Sequence, residues 1–544
     1  MACHAWLLFK HIHFIVYDFY YFEKKAGLYM SKQTFIQGTI ILIIAGLITR
    51  LLGFINRIVI ARIMGEEGVG LYMMALPTLF LVITLTHFGL PVAISKRVAE
   101  ADAQGDRSKV KRILVIAFSI TLILSIIFTT LFVFIAPIVA TQFLTDSRTI
   151  YPLIAISPII PIVAISAVLR GYFLGLQNMK PQAISQVIEQ VVRIALVAML
   201  TKALLPYGVQ FAASGAMISV VIGEMCSLLY IVYQFKNKKR IKIRKNFWKA
   251  FKKGRETLGE LLSIALPTTG SRLVGNLSHF LEPILVAQAL AIAGFTVSQT
   301  TSLYGELTGY VLPLLFLPTF ITSSLSTALV PSISEAGAKN QFKLIHFRIH
   351  QSIRLSFASG GIATIVLFLF ASPILTFMYN DNDAAFFIQL LAPFFILLYF
   401  QAPLQAALQA LDLAKQAMYN SIIGSIVKLA TLFLLASRPE FGITGVVLAI
   451  IVGVVLVTFL HSAVLAKHIQ FRLPLMDILK MISLLVLTYV AGIVLHGAIP
   501  QSEKSLIPLL TVCLLLLLVY IVLLFLFRFI TKEEIRQLPF FKNR

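Results

Sequence analysis

Apolar runs of about twenty residues or more recur from one end of this chain to the other, as in "ILVIAFSITLILSIIFTTLFVFIAPIVA" from Ile113 to Ala140. An α-helix rises about 1.5 Å per residue, so each run matches the roughly 30 Å hydrocarbon core of a bilayer. In lipid every backbone polar group must be paired internally, which leaves helices and closed barrels. The short apolar/polar alternation of a barrel strand is missing, so the sequence reads as an all-α polytopic membrane protein. Its 544 residues are 58% hydrophobic and 13% charged, with a mean hydropathy of +0.90.

The formal charge of +23 would point to nucleic acid in a soluble protein, but its distribution excludes that reading. Lys96, Arg97, Arg107, Lys109, Lys111 and Arg112 share one loop, and a denser block runs from Lys236 to Arg255. Lys339, Lys343 and Arg348, then Lys467 and Arg472, and last Arg528 to Arg544 continue the series. The alternate loops, near Arg148, Tyr207, Asp381, Arg438 and Lys504, are short and almost free of lysine and arginine. Under the positive-inside rule both termini are expected in the cytoplasm of a multi-pass cell-membrane protein. About fourteen membrane helices are expected between residues 36 and 529.

Weak internal repeats divide these helices. "TRLLG" at Thr49 returns as "SRLVG" at Ser271, and "LQNMKPQAISQVIEQVVRIAL" at Leu176 returns as "LDLAKQAMYNSIIGSIVKLAT" at Leu411, matching Arg193 with Lys428. Gly215 and Gly223 return with the same spacing as Gly445 and Gly453. The order implies an N-lobe over 30–235 and a C-lobe over 259–467, six helices each, in a parallel repeat around a central cavity. A basic linker, 236–258, joins them, and its Phe247, Trp248 and Phe251 suit contact with anionic lipid headgroups. Two further helices and a tail occupy 468–544. The aromatic segment 1–29 differs from all that follows, and "MSKQTF" at Met30 reads as the natural start.

Arginines inside the first helix carry the functional reading. Arg50 and Arg57 are seven residues apart and fall on one helix face, roughly 10 Å from each other along the axis. Arg272 repeats Arg50 in the second half. Arg50 and Arg272 lie deep in their helices, where an uncompensated arginine costs on the order of 3 kcal/mol, so each must face a carboxylate or water, whereas snorkelling to the outer surface is an equal reading for Arg57. Acidic residues within the spans are few: Glu189, Glu224, Glu282 and Glu306. Glu189 precedes Arg193 by one helical turn and pairs with it in this reading. That leaves Arg50, Arg57 and Arg272 as candidate ligands for a phosphate-bearing substrate, which the planar guanidinium fork suits. Glu282 and Glu306 are candidates for ion coupling or charge balance, His279 for packing, and Arg62 for an interfacial anchor.

No G-x-x-x-x-G-K-[ST] loop and no nucleophile constellation occurs, so neither ATP hydrolysis nor covalent catalysis is expected. Cys3, Cys226 and Cys513 lack disulfide or zinc spacing, and no cofactor or metal is implied.

The segments "TRLLGFINRIVIARIMGEEGVGLYMMALP", "GLPVAISKRVAEA", "RGYFLGLQNMKPQAISQVIEQVVR", "LYGELTGYVLPLLFLP" and "LVPSISEA" closely resemble the stage V sporulation protein B family of polysaccharide transporters. That family lies in the multidrug/oligosaccharidyl-lipid/polysaccharide (MOP) exporter superfamily, together with the lipid II flippase. The resemblance covers nearly everything from Met30 onward. It implies two six-helix lobes alternating between inward-open and outward-open states, and transport of an undecaprenyl-linked glycan precursor, lipid II above all, for spore cortex peptidoglycan. It also implies a forespore-surrounding membrane, with cortex synthesis enzymes as partners. The flippase pattern R-x-x-G-F-x-R is kept at Arg50 but places Asn56 where its second arginine stands, with Arg57 one residue later. Leu81 stands at the flippase's arginine in the second helix, and Glu306 is the nearest charge to its eighth-helix cluster. A cation-coupled multidrug exporter and a non-transporting scaffold for cortex synthesis are the alternatives.

Overall fold

The computed structural model describes residues 35–238, 254–498 and 506–529; the segment 1–29 and most of the 236–258 linker lie outside them. Helix α1, Phe35–His87, is broken at Gly65, whose φ of 67° and ψ of −175° no other residue adopts without strain, and it folds into two arms. There follow α2 (Leu90–Ala103), α3 (Arg107–Ile138), α4 (Ile150–Ile156), α5 (Ile159–Gly175), α6 (Lys180–Leu204) and α7 (Val209–Lys238). Next come α8 (Arg255–Ile292) and a broken span of α9 (Val297–Gly305), a π-turn over Glu306–Val311, α10 (Leu312–Phe316) and α11 (Thr319–Ala338). The rest is α12 (Phe342–Leu369), α13 (Ala371–Tyr379), α14 (Ala385–Ala410), α15 (Ala414–Ala436), α16 (Ile443–Ile469), α17 (Leu475–Ala498) and α18 (Leu506–Leu526). No strand occurs among the described residues.

Among the described residues, eleven helical runs are long and apolar enough to cross a membrane, twelve with the broken span, so this is a multi-pass membrane protein. One of the eleven, Ile44–Ala103, holds 60 residues and bends at Gly65, so it counts as one run while its chain doubles back. The exposed surface is rich in Leu, Ile, Val and Phe, as lipid-facing walls require.

The repeats seen in the sequence return as matching contacts. The hairpin α6–α7 and the hairpin α15–α16 are each packed through their glycines: Gly215 lies against Leu200 and Gly445 against Leu435 and Ala436. Gly223 lies on Arg193 and Gly453 on Lys428, so the paired basic residues occupy the same place in each hairpin. Helix α8 belongs to both halves. Its first turns pack on α2 and α3, where Glu260 meets Lys109 at 3.2 Å and Arg97 at 3.7 Å, and its later turns pack on α15. Helices α17 and α18 pair with each other beside α12, where Tyr520 donates to the Phe357 carbonyl at 3.2 Å over the gap left by Gly361.

Candidate functional site

Where the halves meet, two joined chambers of 710 and 640 Å³ open between them. Arg57, Met73, Leu76, Phe80 and Phe316 line both, so Arg57 stands at their junction. Along the first arm of α1 the lining runs from Leu47 to Arg57, whereas Ile60, Ala61 and Met64, further along, are buried. The void therefore ends short of the Gly65 bend and the lysine-poor loops packed around it. Phe80 and Phe316, 52% and 45% exposed, form its aromatic wall.

Among the described residues, five cations line the chambers: Arg50, Arg57, Arg170, Arg193 and Lys428. Three have carboxylate partners. Arg193 pairs with Glu189 on the same helix face, as its spacing requires. Arg170 donates to Glu224 at 2.9 Å and to Ser227 at 3.0 Å, and Lys428 meets Glu282 at 2.7 Å across α15 and α8. Arg50 is exposed to the void and makes one bond, to the Ser323 hydroxyl at 3.3 Å, while Arg57 has no ion pair among the described residues. Among the described residues, the chambers thus carry more cations than carboxylates, with Arg50 and Arg57 as the excess.

The other expected residues fare differently. Arg272 lies on α8, but its side chain is outside the described residues. Glu282 balances Lys428, and His279, one turn earlier, also lines the smaller chamber. Glu306 does not reach the chambers: it is 5% exposed in the π-turn, on the closed side of the void. Arg62, expected as an interfacial anchor, donates to the carbonyls of Met378 (2.7 Å) and Phe377 at the end of α13, joining the two halves by charge at a helix C-terminus. The Arg170–Glu224 and Lys428–Glu282 pairings escaped the sequence reading because the partners lie 54 and 146 residues apart.

The closed side is a seam built on glycine. A side chain at Gly70 would overlap the Thr301 carbonyl, one at Gly305 the Glu66 carbonyl, and one at Gly309 the Val69 side chain. The signal for it, G-x-x-x-G in "YGELTGY", is the small-residue spacing that lets membrane helices touch backbone to backbone. Polar groups finish the seam: Arg148 bridges Glu67 (2.8 Å) and Asp146 (2.9 Å), Ser298 donates to Glu67, and Thr301 donates to Asp146 at 2.9 Å. Among the described residues no cluster of three or more histidine, cysteine or acidic side chains fit to hold a metal occurs.

Comparison with known proteins places this architecture. The polysaccharide biosynthesis protein family model matches residues 35–337, and the MatE model matches 284–434. Stage V sporulation protein B of Bacillus subtilis (strain 168) is 54% identical over 94% of this chain and 98% of its own length. The lipid II flippase MurJ of the same organism is 24% identical over 84% of this chain and 87% of its own. Among solved structures, lipid II flippase MurJ in an inward closed conformation superposes with a TM-score of 0.66 at 14% identity, covering 90% of this chain and 99% of that one. An inward-facing MATE family transporter of the MOP superfamily superposes at 0.65 with 16% identity, over 78% and 94%. With a family model matched over more than half its length and a relative identical at more than half of the aligned positions, the chain belongs to the polysaccharide biosynthesis protein family.

Proposed function

We propose that this protein is a secondary flippase that moves an undecaprenyl-linked glycan precursor, lipid II in particular, across the membrane for spore cortex peptidoglycan. The observation that carries the reading is the pair Arg50 and Arg57, left without a carboxylate in chambers where the other described cations are balanced. A lipid diphosphate supplies the missing anion and its glycan head fills the chambers, while the polyprenyl chain stays in the bilayer. Two guanidiniums roughly 10 Å apart repel by about 1.5 kcal/mol at an effective dielectric near 20, which substrate binding would remove. Arg272, at the depth of Arg50 in its own helix, is the third proposed ligand.

With the basic loops in the cytoplasm, as the positive-inside rule requires, the chambers face the side on which lipid-linked precursors are made. Both termini are then cytoplasmic, the basic loops touch anionic headgroups, and a forespore-surrounding membrane is the working location. The relationship to stage V sporulation protein B supports the tie to sporulation and to cortex enzymes as neighbours. The test is reconstitution into vesicles with fluorescent lipid II, scoring its movement between leaflets. Wild type is expected to move it and Arg57→Ala to lose at least tenfold in rate; equal rates would refute the site. The MatE match over 284–434 favours one rival, a multidrug exporter. It predicts a broad drug-sensitive phenotype on deletion and no lipid II movement.

A further inference from the structure

The larger chamber carries hydrogen-bonding groups that the pair Arg50 and Arg57 leaves unused. Asn56 stands on α1 one residue before Arg57, lines this chamber and is 5% exposed. Gln190 lines it from α6, which packs on α1, and a Cβ at Gly53 would lie 3.8 Å from the Gln190 Oε1. Gly53 and Asn56 are three residues apart on one helix face, so the bare glycine lets the Gln190 amide lie along the stretch of α1 that carries the Asn56 amide. Neither amide has a side-chain hydrogen bond among the described residues, and the Asn56 Oδ1 and Gln190 Oε1 are buried acceptors without a donor.

The ion pairs lining the same chamber are incomplete in the opposite sense. Arg170, on α5, directs one terminal nitrogen to Glu224 at 2.9 Å and Ser227 at 3.0 Å, and Arg193 directs one to Glu189. Their Nε–H donors are buried and find no acceptor among the described residues. Buried polar atoms are nearly always paired, so four unpaired ones on residues lining one void mark a place for a ligand. A phosphate only accepts hydrogen bonds and would answer the guanidinium edges alone; an organic cation would answer the amide oxygens alone. Sugar hydroxyl and acetamido groups both donate and accept, and so answer both. An amide side chain offers the same mixture whichever way it turns. Phe80 and Phe316, exposed in this chamber, add apolar faces that the C–H face of a sugar ring can cover.

We propose that Asn56 and Gln190, flanked by the Nε edges of Arg170 and Arg193, form a sugar subsite that reads the hydroxyl and acetamido groups of the glycan unit next to the diphosphate. Asn56 and Arg57 are consecutive, so the subsite adjoins a guanidinium that holds the phosphates, as a sugar bonded directly to them requires. The diphosphate gives affinity for any such lipid, and the amides give preference for one that carries a sugar. This rests on the diphosphate reading of Arg50 and Arg57 but not on which glycan the lipid bears.

Competition between two probes provides the test. Undecaprenyl diphosphate, bare or bearing a single N-acetylglucosamine, is offered at equal concentrations to the full-length protein in detergent, and native mass spectrometry reads both occupancies in one spectrum. Wild type is expected to hold the sugar-bearing lipid about tenfold or more over the bare one. Asn56→Leu, and Gln190→Met as a second variant should that one fail to fold, keep side-chain volume and remove the hydrogen bonds. Each is expected to bring the ratio below about threefold, while the bare lipid offered alone binds as to wild type. Arg57→Ala is expected to lower both occupancies and keep the ratio. Since neither amide is bonded within the protein, both amide variants are expected to match wild type in thermal unfolding. Equal wild-type occupancy of the two lipids, or a preference kept in both amide variants, overturns the subsite and leaves the diphosphate reading standing. A preference lost together with a lowered unfolding temperature in both variants makes the amides structural and also overturns it. No occupancy by either lipid overturns the subsite and the diphosphate reading together.

Discussion

At the residue scale, charge decides which side chains are free to act. Lys428 and Glu282 are mostly buried and satisfy each other across two helices. Removing one partner strands the other in a poorly solvated place, at about 3 kcal/mol or more, whereas removing both is far milder. Glu282→Gln alone is therefore expected to lower the thermal unfolding temperature of the detergent-purified protein by several degrees. The double change with Lys428→Met is expected to recover most of that loss, and failure to recover would show that the pair is not an isolated unit. Arg50→Ala should leave stability unchanged, since its bond to Ser323 is a single exposed one, and should still cut flipping. The spacing of Glu189 and Arg193 made their pairing legible in sequence, because four residues is one helical turn. The Arg170–Glu224 and Lys428–Glu282 pairs were not legible, since no local rule fixes which distant helices become neighbours.

At the element scale, the closed side depends on backbone contact. Gly305→Val would place a Cβ where the Glu66 carbonyl already lies, so the seam is expected to stay open and the distance between spin labels at Tyr207→Cys and Glu440→Cys, on exposed lysine-poor loops, to lengthen. A label distance equal to wild type would show that the seam does not rely on this glycine. Gly259→Ala, at a position with open space around it, serves as the control and should change nothing. The helices themselves follow from apolar runs, and the Gly65 bend follows from a residue able to take a φ of 67°. The π-turn at Glu306 has no comparable mark in the sequence, because one extra residue in a turn is stabilised by what packs around it.

At the scale of the whole molecule, the loops set orientation and the helices set shape. A fluorescent protein fused after Arg544 is expected to fluoresce, and a phosphatase in its place, which needs an oxidising compartment, is expected to be inactive; the reverse result would invert the chambers relative to the cytoplasm. The sequence by itself determined the solvent, the helical class, the alternation of basic and lysine-poor loops and the placing of Arg50 and Arg57 on one helix face. Each of these depends on local composition or on spacing along a single helix, so no knowledge of neighbours is needed. Only the tertiary structure decided that Arg57 stands where two chambers join and that Glu306 leaves the void for the seam. It also decided that α8 serves both halves and that Arg62 clamps α13. Those outcomes rest on contacts between segments far apart in the chain, and in lipid such contacts are selected by close packing and by charge pairing, neither of which a hydropathy pattern encodes.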